Sequence, residues 1–313
     1  MSAVATQATT EAVRGALRGR RFKGGEAAFQ GFLLLTLLLS LAVLVTLLTR
    51  VLVDGLSVLT ERGLGFVTAS LSSLPDLAGP WQGIIGSLKL MLFVVVLAIP
   101  LGVGAAVYME EYARDTRITR FLNANIRNLA GVPSIIYGIL GLAVFVEALK
   151  SITGPGSVQG RSLISGGLTL SILVLPIVII TTAEAMRAVP VSIREAGYSV
   201  GATRWEVIRS HVLPYAAPGI FTGTILSVAR AIGEAAPLIM VGAVTGFLGG
   251  NVEFFESFQR QFTALPIVIF QWARYPNAGF RAITAAAIIV LMVVLLLLNI
   301  TAILLRNRYE RKW

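Results

Sequence analysis

Arg230 and Glu234 stand four residues apart inside an otherwise apolar stretch, Gly219 to Phe247. In a helix that spacing places them one turn apart on one face. Centring an arginine in a membrane span costs roughly 2.5–3.5 kcal/mol on insertion scales, so something must compensate it. Two readings follow. Either the pair locks helix packing, or Arg230 lines an anion path and donates to oxyanion oxygens. In the second reading Glu234 holds the guanidinium and keeps the site from trapping its anion, since conduction requires release. Ser134, beside Pro133, adds a hydroxyl that either meets such an anion or bonds a carbonyl of its own helix. Lys89, near the end of another apolar run, is expected to snorkel to the interface. Glu184 and Arg187 are read as solvated or loop-anchoring.

The stretch 190–214 carries different chemistry. Ser192 with Glu195, and Thr203 with Glu206, have the spacing of capping boxes, each of which marks a helix start. Gly201 falls where glycine favours the residue after a helix. Pro214 is expected to end the second helix. Two short helices joined by a glycine turn follow, with Ile193, Ala196 and Val200 on one apolar face and Trp205, Ile208 and Val212 on the other. Such faces need a partner, either the underside of the chain's own bundle or another protein.

Other chemistries lack their residues. A phosphate-binding loop needs G-x-x-x-x-G-K-[ST], and the nearest run, Gly156 to Ser162, has the wrong spacing and no lysine. There is no cysteine and one histidine, His211, which excludes disulfides, thiolate metal sites and a histidine cluster. The acidic residues show no metal-ligand clustering, and no Ser/His/Asp set is present.

The elements that must position these groups are membrane spans. Charged residues make up 13% of the 313, about half the share usual in a soluble domain, and the apolar residues gather in runs of about 20, long enough to cross a bilayer as helices. Six spans are expected: Gly31–Thr49, Ile84–Tyr108, Leu129–Leu149, Leu163–Ala185, Gly219–Phe247 and Ile283–Leu305. Leu265–Phe270 is too short to span and is placed at the interface, with Trp272, Tyr275 and Phe280 in an aromatic belt. Pro100, Pro133 and Pro176 fall within spans, where each either shapes packing or marks a broken helix. Gly102, Gly104, Gly138 and Gly141 are expected to let helices approach closely. The net charge of +10 lies between the apolar runs and at the ends, which argues against a nucleic-acid partner. Most basic residues fall in the N-terminal tail, 114–127, 187–209 and 306–312, so both termini are expected in the cytoplasm. No cleavable signal peptide is evident, and residues 1–30 read as a mobile, basic cytoplasmic tail.

Glu195-Ala196-Gly197, then Gly201, then Leu213-Pro214 resembles the EAA loop of bacterial ABC-importer permeases, with the family's spacing kept. Gly197 replaces the second alanine of that pattern, and His211 stands where isoleucine is usual. Gly131-Val-Pro-Ser-Ile-Ile-Tyr-Gly138, Leu175-Pro176, Ala229 to Pro237 and Thr263 to Ala273 are similar to phosphate-importer permeases, the last stretch to their PstA type. The resemblance covers about 31–308. It implies an all-α, polytopic ABC-importer permease fold over 31–308, with a short cytoplasmic end at 309–313, in a prokaryotic inner membrane. It further implies that Glu195, Ala196, Gly197, Gly201, Leu213 and Pro214 dock an ATPase subunit. Two such ATPases, a sister permease of the PstC type and a periplasmic or lipid-anchored phosphate-binding protein complete the complex, with ATP and Mg on the ATPase and no cofactor in this chain. It implies phosphate as the transported solute. A permease for another anion or small solute, or a non-transporting scaffold or sensor subunit, stays open at this point, whereas a membrane enzyme would need polar catalytic clusters that the sequence lacks.

Overall fold

The computed structural model describes residues 24–155, 157–244 and 253–309. The tail expected over 1–30 lies outside these up to residue 23, as do 245–247 of the expected fifth span and residues 310–313 of the expected cytoplasmic end. The described residues are mostly helical, with no strand among them. The chain divides into two units, Met1–Val53 and Asp54–Trp313.

The first unit holds most of helix α1, Gly24–Arg62. Its apolar run is punctuated by Thr36, Ser40, Thr46 and Thr49. Each turns its hydroxyl back to a carbonyl three or four residues earlier, at 2.7–2.9 Å. The polar groups are thereby satisfied within the helix and do not interrupt its apolar surface.

In the second unit a short α2, Leu64–Thr68, leads to α3, Trp81–Val107, which ends in a π turn, Tyr108–Tyr112. Then come α4, Arg117–Ala130; α5, Ser134–Gly141, with a π stretch at Leu142–Ala148; and a short α6, Lys150–Thr153. Helix α7 is Leu163–Arg187, α8 is Val191–Ser199 and α9 is Arg204–Val207. A further π turn, Ile208–Val212, joins α9 to α10, Leu213–Gly233; α11 is Ala236–Met240, α12 is Leu265–Arg274 and α13 is Gly279–Tyr309. Five helices among the described residues are long and apolar enough to cross a membrane, and a sixth span arises if α4 and α5 form one span bent by 103°.

Five of the six expected spans are present with changed courses, and the third only if its two bent halves form one span. The third is broken, because Pro133 caps α5 and lacks the N–H that would continue α4. Pro100 and Pro176 stay inside continuous helices. The fifth begins earlier than Gly219: α9, the π turn and α10 run on without a stop, so Pro214 opens α10 rather than ending a helix. The π turn is already irregular there, and Leu213 N–H reaches back to Ile208 O, so the missing proline donor falls where the regular ladder is suspended. The same span ends at Gly233, not Phe247.

Helices α3 and α7 run side by side at the centre, sharing Leu90, Met91, Val94, Ala98, Leu163, Leu170, Leu173 and Val174 in one buried cluster. A Cβ on Gly102 would come within 2.6 Å of Val178, so the close approach expected there occurs. Gly138 and Gly141 are likewise tightly packed, whereas Gly104 faces open space and takes no part. Helix α12 departs from expectation: Leu265, Pro266, Ile267, Val268 and Trp272 are buried. Ser87 Oγ accepts the Leu265 N–H at 2.8 Å, and α12 packs on α3 and α13. Trp272 and Phe280 therefore belong to the core and only Tyr275 is exposed; a short apolar helix gains more by filling the bundle than by lying on its rim. Lys89 donates to Ser257 Oγ at 2.8 Å and lies 5.5 Å from the Phe254 ring centre, so its ammonium has partners within the chain.

The seat of α12 makes a packing prediction. A Cβ on Gly86 would collide with the Thr263 carbonyl oxygen, which is backbone and cannot rotate away. Gly86→Ala should therefore lose about 1–3 kcal/mol, read as a lower thermal midpoint of the detergent-solubilised protein. Gly104→Ala, with open space around it, should show no such loss.

Candidate functional site

Helix α10 stops at Gly233 because Glu234 adopts an extended backbone, φ −80 and ψ 117. Arg230 lies in the last turn, where the exposed carbonyls give the helix end a partial negative charge that favours a cation. Its Nε is 3.5 Å from Glu234 Oε1. The depth follows from packing. Gly219 sits against Ala185 and Gly223 against Thr181, so α10 runs antiparallel to α7. Continuing that register brings Arg230 level with about Val174 near the middle of α7. The side chain of Arg230 is 43% exposed and that of Glu234 19%, so the carboxylate is tucked in and the guanidinium faces outward.

A second break lies beside the first. Gly138 of α5 packs on Pro237 of α11, where an added Cβ would come within 2.7 Å of the Pro237 Cα. Tyr137 spans the break between α4 and α5, donating its hydroxyl to Leu129 O at 2.7 Å, and lies within electrostatic reach of Arg230. Ser134 is the first residue of α5. The sequence alternative in which it bonds a carbonyl of its own helix fails, because no turn precedes it. Among the described residues its hydroxyl joins neither that helix nor the Arg230–Glu234 pair.

From Arg230 one face of α10 continues through Leu226, Gly223, Thr222 and Gly219 at helical spacing. Leu226, Gly223, Thr222 and Gly219, without Arg230, floor a groove of about 510 Å³ whose walls are Thr181, Glu184 and Ala185 of α7 and Arg306 of α13. Arg306 donates to Thr222 Oγ1 at 3.2 Å. Glu184 is therefore a groove residue. Arg187 is anchored, donating to Glu110 through Nε at 2.9 Å and through a second nitrogen.

The loop 190–214 sits at the other end of α10. Its second capping box forms: Thr203 N–H donates to Glu206 Oε2 at 2.7 Å, and Thr203 Oγ1 accepts the Glu206 N–H. The first does not, because Pro190 caps α8 and leaves Ser192 already inside the helix. Gly201 follows α8 with φ +83, the left-handed region that glycine favours. Gly197 is buried under Val207, where a Cβ would come within 2.8 Å, which accounts for glycine in place of alanine. Ile193, Ile208 and Val212 pack with Val107, Met186 and Val189 of the bundle. Trp205 leaves the face expected for it and is exposed, as are Glu195, Ala196 and Val200. Leu213 is half-buried, and Pro214 and His211 are exposed.

A bundle of spanning helices with two breaks, a charged groove and a helical loop at one end fits the membrane-spanning component of a transport system. Residues 98–312 match the family described as binding-protein-dependent transport system inner membrane component, and the chain belongs to that family. It is 34% identical over 204 residues, 65% of its length, to the probable ABC transporter permease YqgI of Bacillus subtilis, and the match spans 66% of that relative, just under two thirds. It is 33% identical to the phosphate transport permease PstA of Mycobacterium leprae, over 86% of this chain and 84% of that one. Its fold is similar to that of a bacterial alginate ABC transporter, with a TM-score of 0.62 at 15% identity over 92% of this chain and 98% of the other.

Sequence reasoning missed three things: Tyr137, Thr222 with Arg306, and the acidic pair Glu110–Glu111 that faces the loop. Only the last left a signal, two carboxylates in tandem where an apolar run meets a basic loop. The chain has no cysteine, so introduced thiols report on single positions. Thr222→Cys and Leu226→Cys should react with a charged, water-soluble thiol reagent in membranes at least about ten-fold faster than Leu296→Cys on α13, since charge does not enter hydrocarbon. Equal rates at all three would show that the groove holds lipid.

Proposed function

We propose that this chain is one of the two permease subunits of an ATP-driven phosphate importer. The observation that carries the reading is Arg230, half-exposed at mid-bundle and in line with a groove that leads to the loop end. An arginine there offers a planar fork to an oxyanion, and the similarity to PstA supports phosphate as the anion. Glu234 occupies part of the guanidinium, so the anion is held weakly enough to leave. Thr222, Thr181 and Arg306 line the way out, and Ser134 offers a free hydroxyl at the start of α5.

In this reading both termini and the loop 190–214 are cytoplasmic. The exposed residues of the loop, Glu195, Ala196, Val200 and Trp205, meet the ATPase, while Gly197, Gly201, Leu213 and Pro214 set its shape. Two ATPase subunits supply ATP and Mg, a PstC-type sister completes the path, and a phosphate-binding protein delivers the solute from outside.

The test is labelled phosphate uptake in cells that lack their own PstA-type permease and keep its partners. Uptake should require this chain and ignore excess sulfate. Arg230→Ala should reduce it at least ten-fold with the complex intact, a charge-assisted hydrogen bond being worth about 1.5–3 kcal/mol. Uptake suppressed by sulfate would point to a permease for other oxyanions. No uptake from an assembled complex would remove phosphate, and loss of assembly in Arg230→Ala would make the pair a packing device. Glu195→Lys, at an exposed position, should leave the chain in the membrane and stop the ATPase from co-purifying.

A further inference from the structure

Arg194, the neighbour of Glu195 on α8, turns into the protein. Its Nε and one terminal nitrogen donate to the same oxygen of Glu111 at 3.2 and 2.9 Å. The other terminal nitrogen donates to Val189 O at 2.9 Å, and the first also reaches Met186 O at 3.0 Å. Glu111 is 6% exposed and belongs to the π turn that ends α3. Met186 lies in the last turn of α7 and Val189 just beyond it. One guanidinium thus ties α8 to the ends of the two central helices. Among the described residues it is the only ion pair between α8 and the bundle.

We propose that the Glu111–Arg194 pair is the joint through which movement of the loop reaches the spans, with both residues acting as positioning residues rather than touching the solute. The argument is mechanical. The apolar contacts of Ile193, Ile208 and Val212 resist being pushed together, but they slide and part with little directional resistance. A hydrogen-bonded charge pair whose carboxylate is buried resists separation, because parting leaves that charge uncompensated. The loop is therefore held when it is pulled as well as when it is pushed. From α7 the displacement passes to α10 through the close contacts at Gly219 and Gly223, and so to the groove and Arg230. This rests on the reading of the loop as the ATPase-docking element.

The experiment uses the complete transporter carrying Leu226→Cys as a reporter in the groove. Its labelling by a water-soluble maleimide is timed with and without ATP plus vanadate. With the pair intact, nucleotide should change the rate by at least about five-fold, the low end of coupling between sites. Glu111→Gln, which keeps shape and an acceptor but loses the charge, should abolish the change. Arg194→Lys, which keeps the charge but loses the fork, should do the same, and the double variant should be no worse than either. In each, the ATPase subunit should co-purify at its normal level. A nucleotide response that survives both substitutions overturns the joint, as does no response with the pair intact. Loss of the chain or of its ATPase in both variants would make the pair a fold-holding contact and overturn the joint too. A Glu195→Lys chain that keeps its ATPase overturns the docking reading instead, so the two failures are told apart.

Discussion

A break in a membrane-spanning helix leaves backbone groups that hydrocarbon cannot satisfy, and this fold carries two such breaks packed against each other. Irregular backbone at that depth survives only where protein covers it or water reaches it. Here the chain covers much of it. Val132 N–H bonds to Leu129 O, Ile136 N–H to Pro133 O and Glu234 N–H to Ala231 O. Tyr137 brings its hydroxyl to Leu129 O as well. Gly138 lets α11 lie against α5 with backbone nearly touching, so each broken span shields the other. Arg230 is tolerable in this place for the same reason. The end of α10 supplies a partial negative charge worth about 0.3–1 kcal/mol, and the extended residue that makes the break is the glutamate that pairs with it.

The charges at the loop end follow a different logic. Arg230 is half-exposed and its partner half-buried, whereas Glu111 is buried and its partner Arg194, half-buried, also donates to two backbone carbonyls. Removing one member of a buried pair costs about 3–5 kcal/mol, chiefly for the charge left behind. A partly exposed pair is screened and contributes far less. The first kind of site holds a geometry and the second leaves a cation free to meet something else. The two kinds stand at opposite ends of α10, one beside the loop and one at mid-bundle, with a groove between.

Local chemistry was legible in the sequence and distant pairing was not. The Thr203–Glu206 box and the Gly201 turn need only residues three to four apart, and both form as read. The spans were legible as hydropathy runs, though their ends were not. The Ser192–Glu195 box failed on equally local grounds, since Pro190 already starts the helix and Ser192 is past the cap. Pro214 was misread as a stop because a π turn ahead of it absorbs the missing donor. Arg187 and Glu110 lie 77 residues apart in the chain, and Arg194 and Glu111 lie 83 apart. Nothing in a local pattern joins such residues until α3 and α7 are packed side by side. The same holds for the groove, whose floor is one helical face but whose walls come from two other helices.

A path for an anion also has to let go of it. Three arginines converging at mid-bundle would bind an oxyanion well and hold it. This face of α10 carries one, at its far end, and that one is already half-engaged by Glu234. In the proposed anion path, a charge-assisted hydrogen bond of about 1.5–3 kcal/mol, shared with a resident carboxylate, leaves an affinity weak enough for release. The next cation along the groove, Arg306, is likewise spoken for by Thr222, and Glu184 opposite it disfavours lingering negative charge. In that reading the arrangement suits passage rather than storage, and tight, selective capture of the solute falls to the binding protein proposed above.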